Sequence, residues 1–160
     1  MKIELGMTAA LVALLLVVDA GAATDSARMQ VSVSVIPNCR IAVTDLAFGA
    51  YDPLVEHATT NLDGTAQVRV VCTKNERASI LMEENGSSIR TLRSGDSLLS
   101  YGIFSDPART QTWGAGANAV QVTFDQGSTP QELTVFGRIP GGQVVPAGSY
   151  MDAVTATVDF

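Results

Sequence analysis

Basic residues are scarce in this chain. Its 160 residues carry 10 lysines and arginines against 16 carboxylates, a formal net charge of −6. Lysine occurs only at Lys2 and Lys74, and no run of basic residues exists. Nucleic-acid binding draws its affinity from clustered Lys and Arg facing phosphate, so that class is excluded. Histidine is nearly absent too, with His57 alone. A Ser-His-Asp arrangement would have to use it, yet no Gly-x-Ser-x-Gly elbow accompanies it. His57 sits between Glu56 and Ala58 in a polar stretch, where a solvated loop residue is expected. Two cysteines and one histidine fall short of the four soft ligands of a structural metal site. Glu83 and Glu84 are adjacent, so on a strand they point to opposite faces and cannot act as an acid–base pair. Calcium-loop spacing is missing, and Gly114-Ala115-Gly116 lacks the lysine and Ser/Thr of a phosphate loop. These absences leave no catalytic residue, metal site or cofactor to nominate.

Apolar residues make up 46% of the chain and charged residues only 16%. That is enough for one packed domain, and too apolar for a disordered chain. The abundance of Val, Thr, Ser, Gly and Ala favours a sandwich or barrel over a helical bundle. One long hydrophobic run exists, residues 7–18, interrupted only by Thr8. A spanning helix needs about 20 residues, and a run of this length fits the core of a secretory signal. Ala20-Gly21-Ala22 then supplies the small-x-small cleavage pattern. Residues 1–22 are therefore expected to be a signal peptide, cut after Ala22 or, as the second choice, after Ala23. An uncleaved membrane anchor is the competing reading. Cleavage removes Lys2, Glu4 and Asp19 and leaves 9 basic against 14 acidic residues.

Export changes the meaning of the cysteines. In an oxidising compartment an even pair is expected to bond. Cys39 and Cys72 would close a loop worth about 3.8 kcal/mol in the chain-entropy model.

Along the remaining chain, period-two alternation dominates. Ala27, Met29, Val31, Val33 and Val35 share one parity; Arg28, Gln30, Ser32 and Ser34 share the other. That is a strand with one apolar face, ended by Ile36-Pro37. Short extended pieces follow over 40–51, with Asp52-Pro53 as a turn. Strands are expected over 64–73, 78–82, 98–105, 119–125, 131–139 and 150–160. Turns are expected at Asn85-Gly86, at Ser94-Gly95-Asp96 and at Pro140-Gly141-Gly142. A single helical turn could start at Asp106-Pro107. Eight or nine short strands with turns at this spacing imply an all-β antiparallel sandwich.

Three stretches also resemble a known family. They are L-A-F-G-A-Y-D-P-L at 46–54, L-S-Y-G-I-F-S-D-P-A-R-T-Q-T-W-G at 99–114, and L-T-V-F-G-R-I-P-G-G-Q-V-V-P-A-G-S-Y-M-D-A-V-T-A-T-V-D-F at 133–160. In order, with Cys39 and Cys72 in place, they resemble the spore coat protein U domain, the subunit type of archaic chaperone–usher pili. The likeness runs from about Met29 to Phe160; Phe136 stands where the family often has Tyr.

The resemblance implies an incomplete immunoglobulin-like sandwich completed by a donated strand. It further implies a periplasmic chaperone, an outer-membrane usher and neighbouring copies or sister subunits as partners. The product would be a surface polymer, a fimbria or a spore-coat-like layer, supporting adhesion or biofilm, with export through the periplasm to the cell surface or into the medium. The chain would then divide into the signal 1–22, an extension 23–37 and a pilin domain 38–160. The donor would be Ala27, Met29, Val31, Val33 and Val35. The pairing edge would be the last strand, through Val154, Ala156, Val158 and Phe160. The sequence bears on this twice: an alternating strand lies close behind the cleavage point, and nothing follows the last strand to cover its edge, an aggregation hazard unless a partner pairs with it. Residues 27–35 could instead serve as the domain's own first strand. The competing function is a soluble secreted β-sandwich binding module, for carbohydrate or a surface ligand, using Trp113 and the Gly-rich stretch 114–118.

Overall fold

The computed structural model describes residue 21, residues 23–83 and residues 90–160. Apart from Gly21, the signal segment 1–22 lies outside the described residues, and so does the Asn85-Gly86 turn. By compactness the chain divides into Met1–Ser34 and Val35–Phe160. Among the described residues, every strand lies in the second unit.

Eight strands follow one another: β1 Cys39–Val43, β2 Leu62–Cys72, β3 Glu76–Met82, β4 Arg90–Ser94, β5 Ser97–Phe104, β6 Val120–Phe124, β7 Gln131–Ile139 and β8 Ala156–Asp159. They form two antiparallel sheets, one ordered β1-β2-β7-β5-β4 and the other β6-β3-β8. The alternation explains the layering. In β2, Ala66, Val68, Val70 and Cys72 face in and are buried; in β3, Ala78, Ile80 and Met82 do the same from the opposite sheet. Leu99, Tyr101 and Ile103 of β5 and Val135 and Ile139 of β7 complete the inner face of the larger sheet. The outer face is mixed, with Phe104 of β5 opposite Phe136 of β7 beside polar residues. There Asp63 of β2 lies opposite Arg138 of β7, bonded through Nε at 2.7 Å and a second guanidinium nitrogen at 2.9 Å. The hydrogen bonds from Arg138, with the charges of Arg109 and Arg138 added, outweigh the opposing effect of burial and hold the Asp63 carboxyl below its usual range.

Cys39 is bonded to Cys72. The pair sits at the first matched position of β1 and β2, so the bridge pins the end of an edge strand to its single neighbour.

Three expectations need correction. Residues 27–35 form no strand; they run without ladder partners and their apolar side chains stay in solvent, Met29 at 85% and Val33 at 90%. Alternation made the strand pattern, but a strand also needs a neighbour. Residues 150–160 are not one strand either. Met151 bridges Arg93 of β4 in the large sheet, and only Ala156–Asp159 pairs with β3 in the small one. The chain switches sheets between them, which breaks the ladder. The turn at 106–111 is not helical: Asp106 Oδ1 accepts the Thr110 and Gln111 amides and closes a loop. The 3₁₀ turn falls instead at Gly116–Asn118. β4, rich in Arg, Thr and Ser, was not anticipated.

Candidate functional site

The two sheets do not close on each other along their whole length. β1 is the last strand of one sheet and β8 the last of the other. Beyond Val43 the chain leaves the ladder, held by the Thr44 amide to the Gln67 carbonyl (2.9 Å) and by the Gln67 amide to Thr44 Oγ1 (2.8 Å). Residues 46–48 then lie across the inner face of the large sheet. Paired glycines make room for them: Gly64 of β2 stands opposite Gly137 of β7. A Cβ on Gly137 would come within 2.7 Å of both Leu46 and Phe48, so their side chains rest on bare backbone. This explains the glycine in β7 and the L-A-F-G run, whose Gly49 takes φ +85°.

The result is a groove between residues 43–48 on one side and 152–156 on the other, with a volume of about 410 Å³. Its floor is the core itself: Val68, Tyr101, Ile103 and Val135 from the large sheet, Met82 from the small one. Val154 and Ala156 line the far wall. A second hollow of about 780 Å³ continues past Leu46, Phe48 and Leu92 toward Ile139 and Tyr150. Core side chains are thus roofed by groove rather than by a further strand.

One polar contact fixes the far wall. Tyr101 O–H donates to Asp152 Oδ2 at 2.7 Å. Burial, and then the Asp152 carboxylate, push the phenol well above the ordinary tyrosine range. The opposite end is braced by the 51–57 turn. Asp52 Oδ1 accepts the Leu54 and Val55 amides, and His57 Nδ1 accepts the Asp52 amide at 3.0 Å. His57 is therefore not the solvated loop residue expected of it. It is 3% exposed and stacks on Tyr51 with ring centroids 5.1 Å apart.

Of the four residues assigned to the pairing edge, Val154 and Ala156 line the groove, Val158 packs on the core in β8, and Phe160 is largely exposed. Trp113 lies in the core at 1% exposure, its indole N–H donating to the Ile80 carbonyl at 2.8 Å. It cannot form a sugar-stacking surface, because the aromatic face needed for that is already packed. Arg90 was missed by sequence reasoning. It is buried, and its guanidinium donates to the carbonyls of Met82 and Glu83 at 3.0 and 2.8 Å, tying β4 to the end of β3. No local pattern marks an arginine whose carbonyl partners come within reach only when β4 folds beside the end of β3. Among the described residues, no three of His, Cys, Asp and Glu gather as metal ligands.

Comparison with known proteins places this geometry. The solved CsuC–CsuE chaperone–tip adhesion subunit pre-assembly complex, from the archaic chaperone–usher Csu pili of Acinetobacter baumannii, contains a chain of similar fold. The TM-score is 0.53 at 24% identity, over 79% of this chain. This chain spans only 40% of that one. Protein U of Myxococcus xanthus is 32% identical over 158 residues, 88% of each chain. The model of the Spore Coat Protein U domain matches residues 25–157. The chain belongs to the Spore Coat Protein U domain family.

Proposed function

We propose that this protein is a structural subunit of a surface polymer, a pilus or a spore-coat-like layer, assembled by donor-strand exchange. The observation that carries the reading is the groove between residues 43–48 and 152–156, floored by core side chains and walled by the chain that runs on from the end of β1 and into the start of β8. A groove of that kind takes an extended apolar segment, which gains ladder hydrogen bonds and places alternate side chains in the core. The chain carries such a segment, residues 27–35, alternating and exposed. Donation from one copy to the next is head-to-tail, and a head-to-tail contact that does not close yields an open filament.

The same physics calls for a chaperone. An open edge over an exposed core invites aggregation, so the subunit needs a lent strand in the periplasm before an outer-membrane usher exchanges it for the next subunit's segment. The cell surface is then the destination, through a cleaved signal at 1–22, and adhesion or biofilm formation the use.

Two substitutions test it. Val33→Asp sets a carboxylate on the donor's apolar face, which costs several kcal/mol when buried. Ser32→Asp sets the same charge on the solvent face. Electron microscopy of cells should show polymer with the Ser32 variant and none with the Val33 variant. Equal assembly by both overturns the reading.

A further inference from the structure

We propose that Arg28 of one copy pairs with Asp159 of the next, and that this pair sets the register of the donated strand. The inference rests on the donor-strand reading and adds to it the partner, a second copy of this chain, and the alignment.

The alignment follows from parity and charge. On β8, Ala156 and Val158 pack on the core, so Thr157 and Asp159 occupy the other face, where Asp159 is exposed. The paired side of β8 offers Asp159 no charge, since its partner on β3 is Ser79. The other edge of β8 carries no ladder partner, although β1 comes close to β8 there. On the donor, Arg28 is the sole basic residue of the alternating stretch, and it lies on the polar parity. Neither Arg28 nor Asp159 has an ion-pair partner among the described residues.

An antiparallel donor with Arg28 opposite Asp159 puts Met29 against Val158, Val31 against Ala156 and Val33 against Val154. Met29, Val31 and Val33 then meet inward positions of the recipient, small Ala27 falls beside bulky Phe160, and Val35 reaches Asp152 at the end of the pairing. Moving the donor two residues one way keeps the parity but sets Arg28 against Thr157 and brings Val33 onto Asp152, which Tyr101 already holds; moving it two residues the other way carries Arg28 past Phe160 and leaves Asp159 facing Gln30. A parallel donor with Met29 beside Ala156 leaves Arg28 at Thr155 and Asp159 at Ser32. Parity alone admits each of these registers, because a slip of two preserves faces. Only the first matches the charges. Directly opposite side chains on antiparallel strands are close enough for unlike charges to attract and like charges to repel.

The test is charge reversal in the full-length chain, co-expressed with its assembly machinery, with polymer quantified as ladders that survive mild denaturant. Arg28→Asp alone and Asp159→Arg alone should each lower assembly by about tenfold, the factor that corresponds to ~1.4 kcal/mol of lost attraction and added repulsion. Both reversals together restore the unlike pair, and assembly should return to within about twofold of wild type. Trp113 fluorescence and the Cys39–Cys72 bond report that each variant is folded. Single reversals that assemble like wild type, or a double reversal that does not rescue, overturn the register. Val33→Asp in the same assay separates the two levels. If it blocks assembly while Arg28→Asp does not, donor exchange stands and the register falls; if it too assembles normally, the donor reading itself fails.

Discussion

Tyr101 is the residue at which the groove and the core meet. Its ring is buried among Leu99, Ile103 and Phe48, and its hydroxyl holds Asp152 on the groove wall. Desolvation is the larger cause of its raised pKa, with the Asp152 contact second. The folded pKa lies above the ordinary value of 10.0, so the contribution to stability is complete below that pH and declines as pH rises past it. Spectrophotometric titration should therefore show a tyrosine step that resists ionisation until the protein unfolds. Tyr101→Phe should abolish the resistant step. A wild-type titration without such a step contradicts this placement.

At the scale of elements, β1 is the vulnerable wall. It has one neighbour, five residues, and a disulfide at its first pair. Replacing both cysteines with serine should cost about 2–5 kcal/mol in denaturant unfolding. Hydrogen exchange should speed most in β1 and in residues 43–48, because the bridge is what holds that edge. A uniform loss of protection across both sheets would show instead that the bond stabilises only the unfolded-state balance. Element by element, the sequence was most readable where one face is buried. The parity of Ala66, Val68 and Val70 and of Ala78, Ile80 and Met82 marks β2 and β3 because each strand has a dry side. The groove was legible only in outline. Residues 27–35 alternate as a strand does, but alternation states which face is apolar and not whether a partner is present in the same chain. Residues 44–53 have no period at all; their course depends on Gly64 and Gly137, which come together only when β2 pairs β7. Arg90 and His57 were opaque for a related reason. Both are polar side chains buried by contacts that secondary structure creates, with carbonyls in one case and the Asp52 amide in the other.

At the scale of the whole molecule, the sandwich has core side chains lining a groove, and residues 27–35 carry a matching alternation. On the donor-strand proposal, a neighbouring copy completes the fold. The most direct measurement places a photo-crosslinking side chain at Val33 and mixes isotopically light and heavy populations before assembly. Polymer is then irradiated, digested and mapped by mass spectrometry. The account predicts light–heavy crosslinks from position 33 to the stretch around Val154 and Ala156, with few elsewhere. Crosslinks confined to light–light and heavy–heavy pairs would mean that the segment serves its own chain, and links away from 152–156 would mean that the groove is not where it goes; either result contradicts donor exchange between copies through this groove.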